Sequence, residues 1–351
     1  MIKCIIWDLD GTIWDGSIDE MNDLTLMDNL DEILNKLMSG GIINSIVSRN
    51  HRKEAIEALS KFNIEKYFVI PQFDFNSKCI SIKKITEELN INLDSVLFID
   101  NSEFELAQVN YYLPQVKTLL ARDYEKVLDI VGNDGTLNTY ESINRTLLYK
   151  LISERKVAEK EYLGNREDFL RECKIILNIR NANTNDLPRI AELTQRTNQF
   201  NATHERLNAL DLENYIIRDD KDLYVCELQD RFGDYGIVGI AALENRDSIR
   251  QVNLFAISCK VEGRGIGKNL LHFILNSSLE KGYKTLKARY YSTEKNRELR
   301  LLYSMVGFKS EEPMIHNNYV ILGMNIPSKF DYDTYSLVIV TVKLELTDFI
   351  K

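Results

Sequence analysis

The chain has 351 residues, 28% of them charged and 44% hydrophobic, with a formal net charge of -9. That length allows two cores at roughly 100–200 residues per domain, and the acidic balance excludes a non-specific nucleic-acid binder, which needs clustered positive charge. No run approaches the roughly 18 apolar residues of a membrane span, a strand pattern starting at Ile2 leaves no room for a signal peptide, and five cysteines without a CxxC pair point to a reduced, cytoplasmic protein.

The first half alternates strand and helix patterns. Ile2–Trp7 reads as a buried strand, Asn29–Leu37 as a helix, Ile42–Val47 as a second apolar strand and Lys53–Phe62 as a helix. A short strand over Tyr67–Ile70, a helix over Cys79–Leu89 and a strand over Ser95–Ile99 follow. This rhythm predicts a doubly wound parallel sheet with right-handed crossovers. Its chemistry belongs at the carboxyl ends of the strands, near residues 8, 48 and 100.

Asp8-Leu9-Asp10-Gly11-Thr12 supplies that chemistry at the first strand end. Alternation along an extended strand sends Asp8 and Asp10 to the same side. Gly11 permits a sharp turn, and Thr12 offers a hydroxyl and an amide to an anion. Asp8 can act as nucleophile through an aspartyl-phosphate, and Asp10 can protonate a leaving oxygen and then deprotonate water. Ser48, with Arg49 beside it, follows the second strand; its hydroxyl suits a phosphoryl oxygen, or simply caps a helix. Lys78 opens the next helix and can neutralise phosphate, and Asp100 ends a buried strand. Asp100, Asp8 and the Asp10 carbonyl make an oxygen-rich set suited to Mg²⁺.

In order and spacing these residues resemble the four motifs of the haloacid dehalogenase (HAD) superfamily, whose members mostly handle phosphate esters and anhydrides. Many relatives have a second Asp where this chain has Asn101, with Glu105 a further acidic residue nearby. The intervals after Thr12 and after Ser48 are too short for a cap domain, so the resemblance implies a capless site, open to a large substrate or covered by a neighbour.

From Asp123 to Cys173 the pattern is charged and helical, which marks 123–174 as a connector between a first domain, 1–122, and a second, 175–351. The second domain opens on a strand pattern at Ile175–Arg180 and a helix pattern at Asn185–Thr197. Strands at Leu223–Leu228, Gly236–Leu243 and Gln251–Cys259 lead to Gly263-Arg264-Gly265-Ile266-Gly267 and the helix Leu270–Leu279. A strand at Thr285–Tyr291, a helix at Asn296–Val306 and a strand at Tyr335–Leu346 complete an α+β unit. A glycine-rich turn opening a helix can cradle a diphosphate.

With Tyr303, Gly307 and Phe308 closing the next helix, this half resembles the GNAT acyltransferase fold, which binds the pantetheine arm of coenzyme A. The resemblance places Gly263, Arg264, Gly265 and Gly267 at the pantetheine. It also places an acyl thioester near Cys259, and makes Tyr303 a candidate to protonate a thiolate. Each has a plainer reading: Cys259 a small buried hydrophobe, and Tyr303 a packed aromatic beside Phe308. The family usually carries Gln or Arg where this chain has Glu262. A carboxylate there repels a diphosphate, so a carrier-borne arm without an adenosine diphosphate end fits better.

Read together, the two halves resemble the FkbH-like proteins of polyketide pathways over residues 2 to 325. The strings that carry this are Lys3-Cys4-Ile5-Ile6-Trp7-Asp8-Leu9-Asp10, Phe98-Ile99-Asp100, Leu193-Thr194-Gln195-Arg196-Thr197-Asn198-Gln199-Phe200-Asn201, Arg231-Phe232-Gly233-Asp234 and Ser258-Cys259-Lys260-Val261-Glu262-Gly263-Arg264. Departures are Gly11 for the usual Asn and Asn101 for the usual Asp. The resemblance implies a Mg²⁺-dependent glyceryltransferase and phosphatase. Such an enzyme takes a glyceryl unit from 1,3-bisphosphoglycerate, releases phosphate and loads an acyl carrier protein as a thioester, through an enzyme cysteine. Arg196 then meets a phosphate or covers a helix end, and Asn198 and Gln199 meet glyceryl hydroxyls, pantetheine amides or only their own loop. The alternative is a HAD phosphatase fused to an acetyl-CoA-dependent N-acyltransferase. A non-catalytic carrier-binding scaffold is a third reading.

Overall fold

Strand β1 (Cys4–Trp7) is buried along its whole length, and its side chains feed two different cores. Ile5 and Trp7 join one apolar cluster with Leu30, Ile33 and Leu59, while Cys4 and Ile6 join another with Ile82, Ile85 and Phe98. Both faces of the sheet are therefore covered, which is why the strand reads as a continuous apolar run.

The computed structural model describes residues 2–20, 23–132, 144–197, 199–294, 296–311, 319–328 and 339–343. The chain divides into two compact units, Met1–Ser153 and Glu154–Lys351. Helix Arg145–Glu161 carries the chain through that division, within the segment expected to connect two domains.

The first unit is built on a five-stranded sheet of order β5-β4-β1-β6-β7. Its strands are β4 (Ile43–Ser48), β5 (Gln72–Phe73), β6 (Val96–Asp100) and β7 (Lys117–Leu120) around β1. Every pairing is parallel, with Cys4 opposite Ile43 on one side and Val96 on the other. Helices α1 (Leu30–Ser39), α2 (Arg52–Lys61), α3 (Lys78–Leu89) and α4 (Glu103–Tyr112) connect the strands. The strand expected over Tyr67–Ile70 is instead a 3-10 turn at Glu65–Tyr67 and a single bridge from Asn44 to Phe68, with β5 following at Gln72–Phe73. Pro71 lacks the N–H a ladder requires, which moves the pairing past it. A small hairpin, β2 (Trp14–Asp15) with β3 (Thr25–Leu26), fills the interval before α1. Neither that interval nor 49–77 holds a cap domain, so the unit is a capless, HAD-like doubly wound sheet.

The second unit is α+β. Strands β8 (Ile176–Asn181), β9 (Lys221–Asp230), β10 (Gly233–Arg246), β11 (Ile249–Ile257), β12 (Thr285–Tyr290), β13 (Lys309–Ser310), β14 (Val320–Asn325) and β15 (Ile339–Lys343) form one mixed sheet of order β13-β14-β12-β11-β10-β9-β8-β15. Only part of the expected strand Tyr335–Leu346 falls within the described residues, as β15. Helices Arg166–Glu172, Leu187–Arg196, Ala209–Ile217, Ile266–Glu280 and Arg297–Val306 belong to this unit, which has the GNAT architecture. Helix Ala209–Ile217, for which the sequence shows no expected element, starts at an Asn208 capping box.

Candidate active site

Strand parity assembles the first unit's site. Asp8 follows Cys4 and Ile6 at even spacing, and Asp100 follows Val96 and Phe98, so both carboxylates continue the face on which Ile82 and Ile85 of α3 pack. Lys78, the first residue of α3, meets them there. Its Nζ lies 2.8 Å from Asp8 Oδ1 and 2.6 Å from Asp100 Oδ2. All three groups are buried, and Asp100 is wholly inaccessible. Burial raises the Asp8 carboxyl to about 6; Lys78 opposes that shift and Asp100 adds to it. Burial alone depresses an ammonium, but Asp8 and Asp100 outweigh it and raise Lys78. The backbone N–H of Ser102 donates to Asp100 Oδ1 at 2.8 Å and fixes that carboxylate.

Asp10 keeps its own set of partners. Its Oδ1 accepts from Trp14 Nε1 at 2.8 Å and from the Ile18 amide at 3.2 Å, and its Oδ2 accepts from Asn50 Nδ2 at 3.0 Å. The Ser48 hydroxyl donates to Asn50 Oδ1, so Ser48, Asn50 and Asp10 form a chain across the ends of β4 and β1. Trp14 and Asn50 were not singled out in the sequence. Asn50 stands in the strand-end string after Ser48, but nothing in spacing shows that a residue 40 positions away would reach Asp10. Thr12 offers less than expected, since its amide closes the turn on the Leu9 carbonyl at 3.0 Å. Its hydroxyl, however, is buried and has no partner. Arg49 reaches Glu105 at 2.8 Å; Glu105 is buried and therefore serves as an anchor for the half-exposed guanidinium.

Gly11 and Asn101 fit one another. Gly11 has φ +66°, and a Cβ there would sit 2.2 Å from Asn101 Nδ2. The two positions where this chain departs from the FkbH-like pattern are thus in contact. Beside them a cleft of about 320 Å³ opens, lined by Gly11, Asn101, Glu103, Leu120, Arg122 and Tyr124 among others.

Among the described residues no group of three or more His, Cys, Asp or Glu side chains is arranged as a metal centre. The donor chemistry nevertheless fits a hard dication. Asp8 and Asp100 are buried with a single lysine between them, which leaves one negative charge uncompensated, and the Thr12 hydroxyl is an orphaned oxygen on the adjoining turn.

In the second unit, helix Ile266–Glu280 begins on Gly265 at φ +77°, after Gly263 at φ +72°. Both glycines adopt backbone conformations that side chains rarely enter. A Cβ on Gly267 would lie 2.7 Å from Ile257 Cδ1 and 2.6 Å from Leu302 Cδ2, so Gly267 lets the helix pack closely on β11. The Arg264 side chain does not extend to a pantetheine arm. It is buried, 3.1 Å from Asp230 Oδ2, with its guanidinium 4.3 Å over the Tyr235 ring. What this turn offers an anion is backbone N–H groups. Glu262 and Glu298 are neighbours there, and burial, followed by the Glu298 charge, raises the Glu262 carboxyl.

Of the five cysteines only Cys259 is partly exposed, two residues past the end of β11. Burial pushes the thiols of Cys4 and Cys226 up. Tyr303 is not on a surface: it is fully buried between Phe255 and Phe308, at ring separations of 5.7 and 5.1 Å. That supports the packed-aromatic reading, although its hydroxyl has no partner. Arg196 pairs with Glu192 one helical turn back at 3.3 Å, which favours covering the helix end. Gln199 lies in the loop beyond it, and Asn198 lies outside the described residues.

Residues 16–108 match the family of haloacid dehalogenase-like hydrolases, and residues 192–326 match the acetyltransferase (GNAT) domain. The first match takes in Ser48, Lys78 and Asp100 but starts beyond Asp8 and Asp10, which rest on their own string and geometry. The chain is therefore a fusion of a HAD-like hydrolase domain and a GNAT acetyltransferase domain. It is an enzyme with a hydrolase domain and an acetyltransferase domain. No curated protein matches the chain. Among solved structures, the ribosomal-protein-S18-alanine N-acetyltransferase of Escherichia coli is 16% identical over 45% of this chain and 98% of its own, with a TM-score of 0.35. The PaiA N-acetyltransferase of Thermoplasma acidophilum, in complex with coenzyme A, is 16% identical over 42% of this chain and 98% of its own, with a TM-score of 0.35. The N-terminal part of protein BF1531 from Bacteroides fragilis, containing a phosphatase domain complexed with Mg, is 27% identical over 37% of this chain and 39% of its own, with a TM-score of 0.33.

Proposed function

We propose that the chain loads a glyceryl unit from 1,3-bisphosphoglycerate onto an acyl carrier protein, with loss of phosphate, as an FkbH-like enzyme. The observation that carries the phosphate half is Lys78 held between Asp8 and Asp100 at the ends of two adjacent parallel strands. A lysine there balances part of the charge of a nucleophilic carboxylate and an incoming phosphoryl group. Asp8 attacks the phosphate ester, forming an aspartyl-phosphate and releasing the alcohol, to which Asp10 delivers a proton. Water activated by Asp10 then releases phosphate and restores Asp8. Mg²⁺ held by Asp8 and Asp100 supplies further charge neutralisation when bound. The cleft beside Gly11 and Asn101 gives room for the organic part of the substrate, and Arg49, steadied by Glu105, offers a second cation.

The acyl phosphate is the donor for thioester formation. A thiol attacks its carbonyl carbon, the C–S bond forms, and phosphate leaves with the bonding electron pair. Cys259 is proposed as that thiol because it is the cysteine with access to solvent. The acyl group then passes to the pantetheine thiol of the carrier. Glu262 and Glu298 at the glycine turn oppose a diphosphate, which favours a carrier arm over acetyl-CoA.

The test is intact mass of holo-carrier after incubation with the protein, 1,3-bisphosphoglycerate and Mg²⁺. A glyceryl increment is expected with wild type and not with Asp8→Asn. An increment that persists in Asp8→Asn removes Asp8 from the mechanism. Acetylation of an amine from acetyl-CoA in place of glyceryl loading selects the N-acyltransferase reading.

A further inference from the structure

Two buried arginines of the second unit keep donors that nothing receives. Arg155, on the part of helix Arg145–Glu161 that belongs to this unit, is 6% exposed, and Arg264 of the glycine turn is 3% exposed. Arg155 Nη1 donates to Glu159 Oε2 at 3.0 Å, and Arg264 Nη1 donates to Asp230 Oδ2 at 3.1 Å. Arg155 Nε, Arg155 Nη2 and Arg264 Nε are sealed from solvent and have no partner. A buried charged donor without an acceptor bears its full desolvation cost. Arg250 shows the usual outcome: it is as deeply buried, and its guanidinium is taken up by Asp222, Tyr224, Asn245, Ser277 and Ser278.

The two open atoms of Arg155 form one edge. Nε–H and an Nη2–H point the same way in the guanidinium plane, the fork that grips two oxygens of one anionic group. The charges nearby call for such a group. Arg166 pairs with Glu159 at 3.3 Å and donates from Nη2 to the Gly263 carbonyl at 3.5 Å, while Arg231 pairs with Glu172 at 3.6 Å. Arg155 and Arg231 both lie over the Phe169 ring, at 5.3 and 5.5 Å. Four guanidiniums thus share three carboxylates, Glu159, Glu172 and Asp230, with Glu159 serving two. Burial pushes the Cys173 thiol up, against the charges of Arg155, Arg231 and Arg264, so these three arginines converge on one place. Burial and the like charge of Arg155 also hold the Arg264 guanidinium below its ordinary value.

We infer that Arg155 and Arg264 form a buried site for a tetrahedral oxyanion of the phosphate class, two of whose oxygens take the Arg155 fork while a third takes Arg264 Nε. A carboxylate would fill the fork and leave Arg264 Nε unmade. A chloride would offer no second atom to the fork. The anion supplies the negative charge that the four guanidiniums lack, and Arg166 and Arg231, both open to solvent, draw it in. The site is made of side chains of the second unit alone and needs no part of the glyceryl reading.

The probe is inorganic phosphate, added to the full chain in EDTA at matched ionic strength. Without metal, Asp8 and Asp100 outnumber Lys78 and give an anion little hold in the first unit. A saturable rise in melting temperature is expected for wild type. The apparent affinity should fall at least tenfold in Arg155→Lys, which keeps the charge and loses the fork, and in Arg264→Lys, which loses Nε. No saturable rise in wild type, or equal affinity in all three chains, overturns the site. An equal rise with acetate or chloride overturns the phosphate assignment. Selenate-soaked crystals of wild type give a reading that needs no variant to fold. An anomalous selenium peak within hydrogen-bond distance of Arg155 Nε and Nη2 is expected, and water alone at that place overturns the proposal.

Discussion

At the scale of single residues, the site turns on a charge that is costly to bury. The Asp8 carboxyl stands at about 6 against an ordinary 3.8, so between those values the folded protein holds a proton that the unfolded chain does not. Stability contributed by that proton falls as pH rises through the window, and above it ionised Asp8 destabilises the metal-free protein. Asp8→Asn is therefore expected to melt several degrees above wild type in EDTA at pH 7.5, with the gap closing towards pH 4.5. Mg²⁺ should raise the melting temperature of wild type and not of the variant. A gap that widens on acidification refutes this account. Gly11 tests the neighbouring contact. Gly11→Ala brings both a strained φ and a methyl against Asn101 Nδ2. A loss of about 2–4 kcal/mol is expected by denaturant melts. Asn101→Ala in the same chain should return the packing share but not the backbone share, and strict additivity would show that the two residues do not meet.

At the scale of elements, the β2–β3 hairpin has a task that the sequence did not disclose. It brings Trp14 back over the end of β1, where the indole N–H holds Asp10. Trp14→Phe keeps the ring that packs on Phe62 and removes only that donor. We expect kcat for phosphate release to fall about 10- to 100-fold with KM nearly unchanged, since a general acid contributes on the order of 10²–10⁴ in rate. A change confined to KM would assign Trp14 to substrate binding instead. Within the strands, much was legible. Alternation placed Asp8 on one face of β1, and Asp100 reads from the end of an apolar run. The helix starting at Lys78 was anticipated to within a residue, though not that Lys78 would touch both carboxylates. Asn50, Trp14 and the Arg49–Glu105 pair were not legible, because each joins residues that only the crossovers bring together. Arg264 shows the same limit in the second unit: within a glycine turn its sequence suits a ligand, while its side chain reaches Asp230 on a different strand.

At the scale of the whole molecule, two chemistries share one chain, and they should separate on mutation. Cys259→Ser is expected to abolish a hydroxylamine-sensitive glyceryl adduct on the protein while phosphate release continues at a rate within about twofold of wild type. Radiolabel retained after denaturation measures the adduct; if it persists, the thioester forms on another group or directly on the carrier. No helix among the described residues is long and apolar enough to cross a membrane. What the sequence by itself determined is what short-range periodicity and local turn chemistry encode: two units, a capless parallel sheet followed by an α+β sheet, the strand-end residues Asp8, Ser48 and Asp100, and Lys78 at a helix start. Only the tertiary structure decided which partners those residues keep. It paired Asp10 with Trp14 and Asn50, buried Tyr303 and folded Arg264 inward. Hydrogen bonds and ion pairs are set by distance in space, and strand pairing unites residues whose separation along the chain carries no period to read.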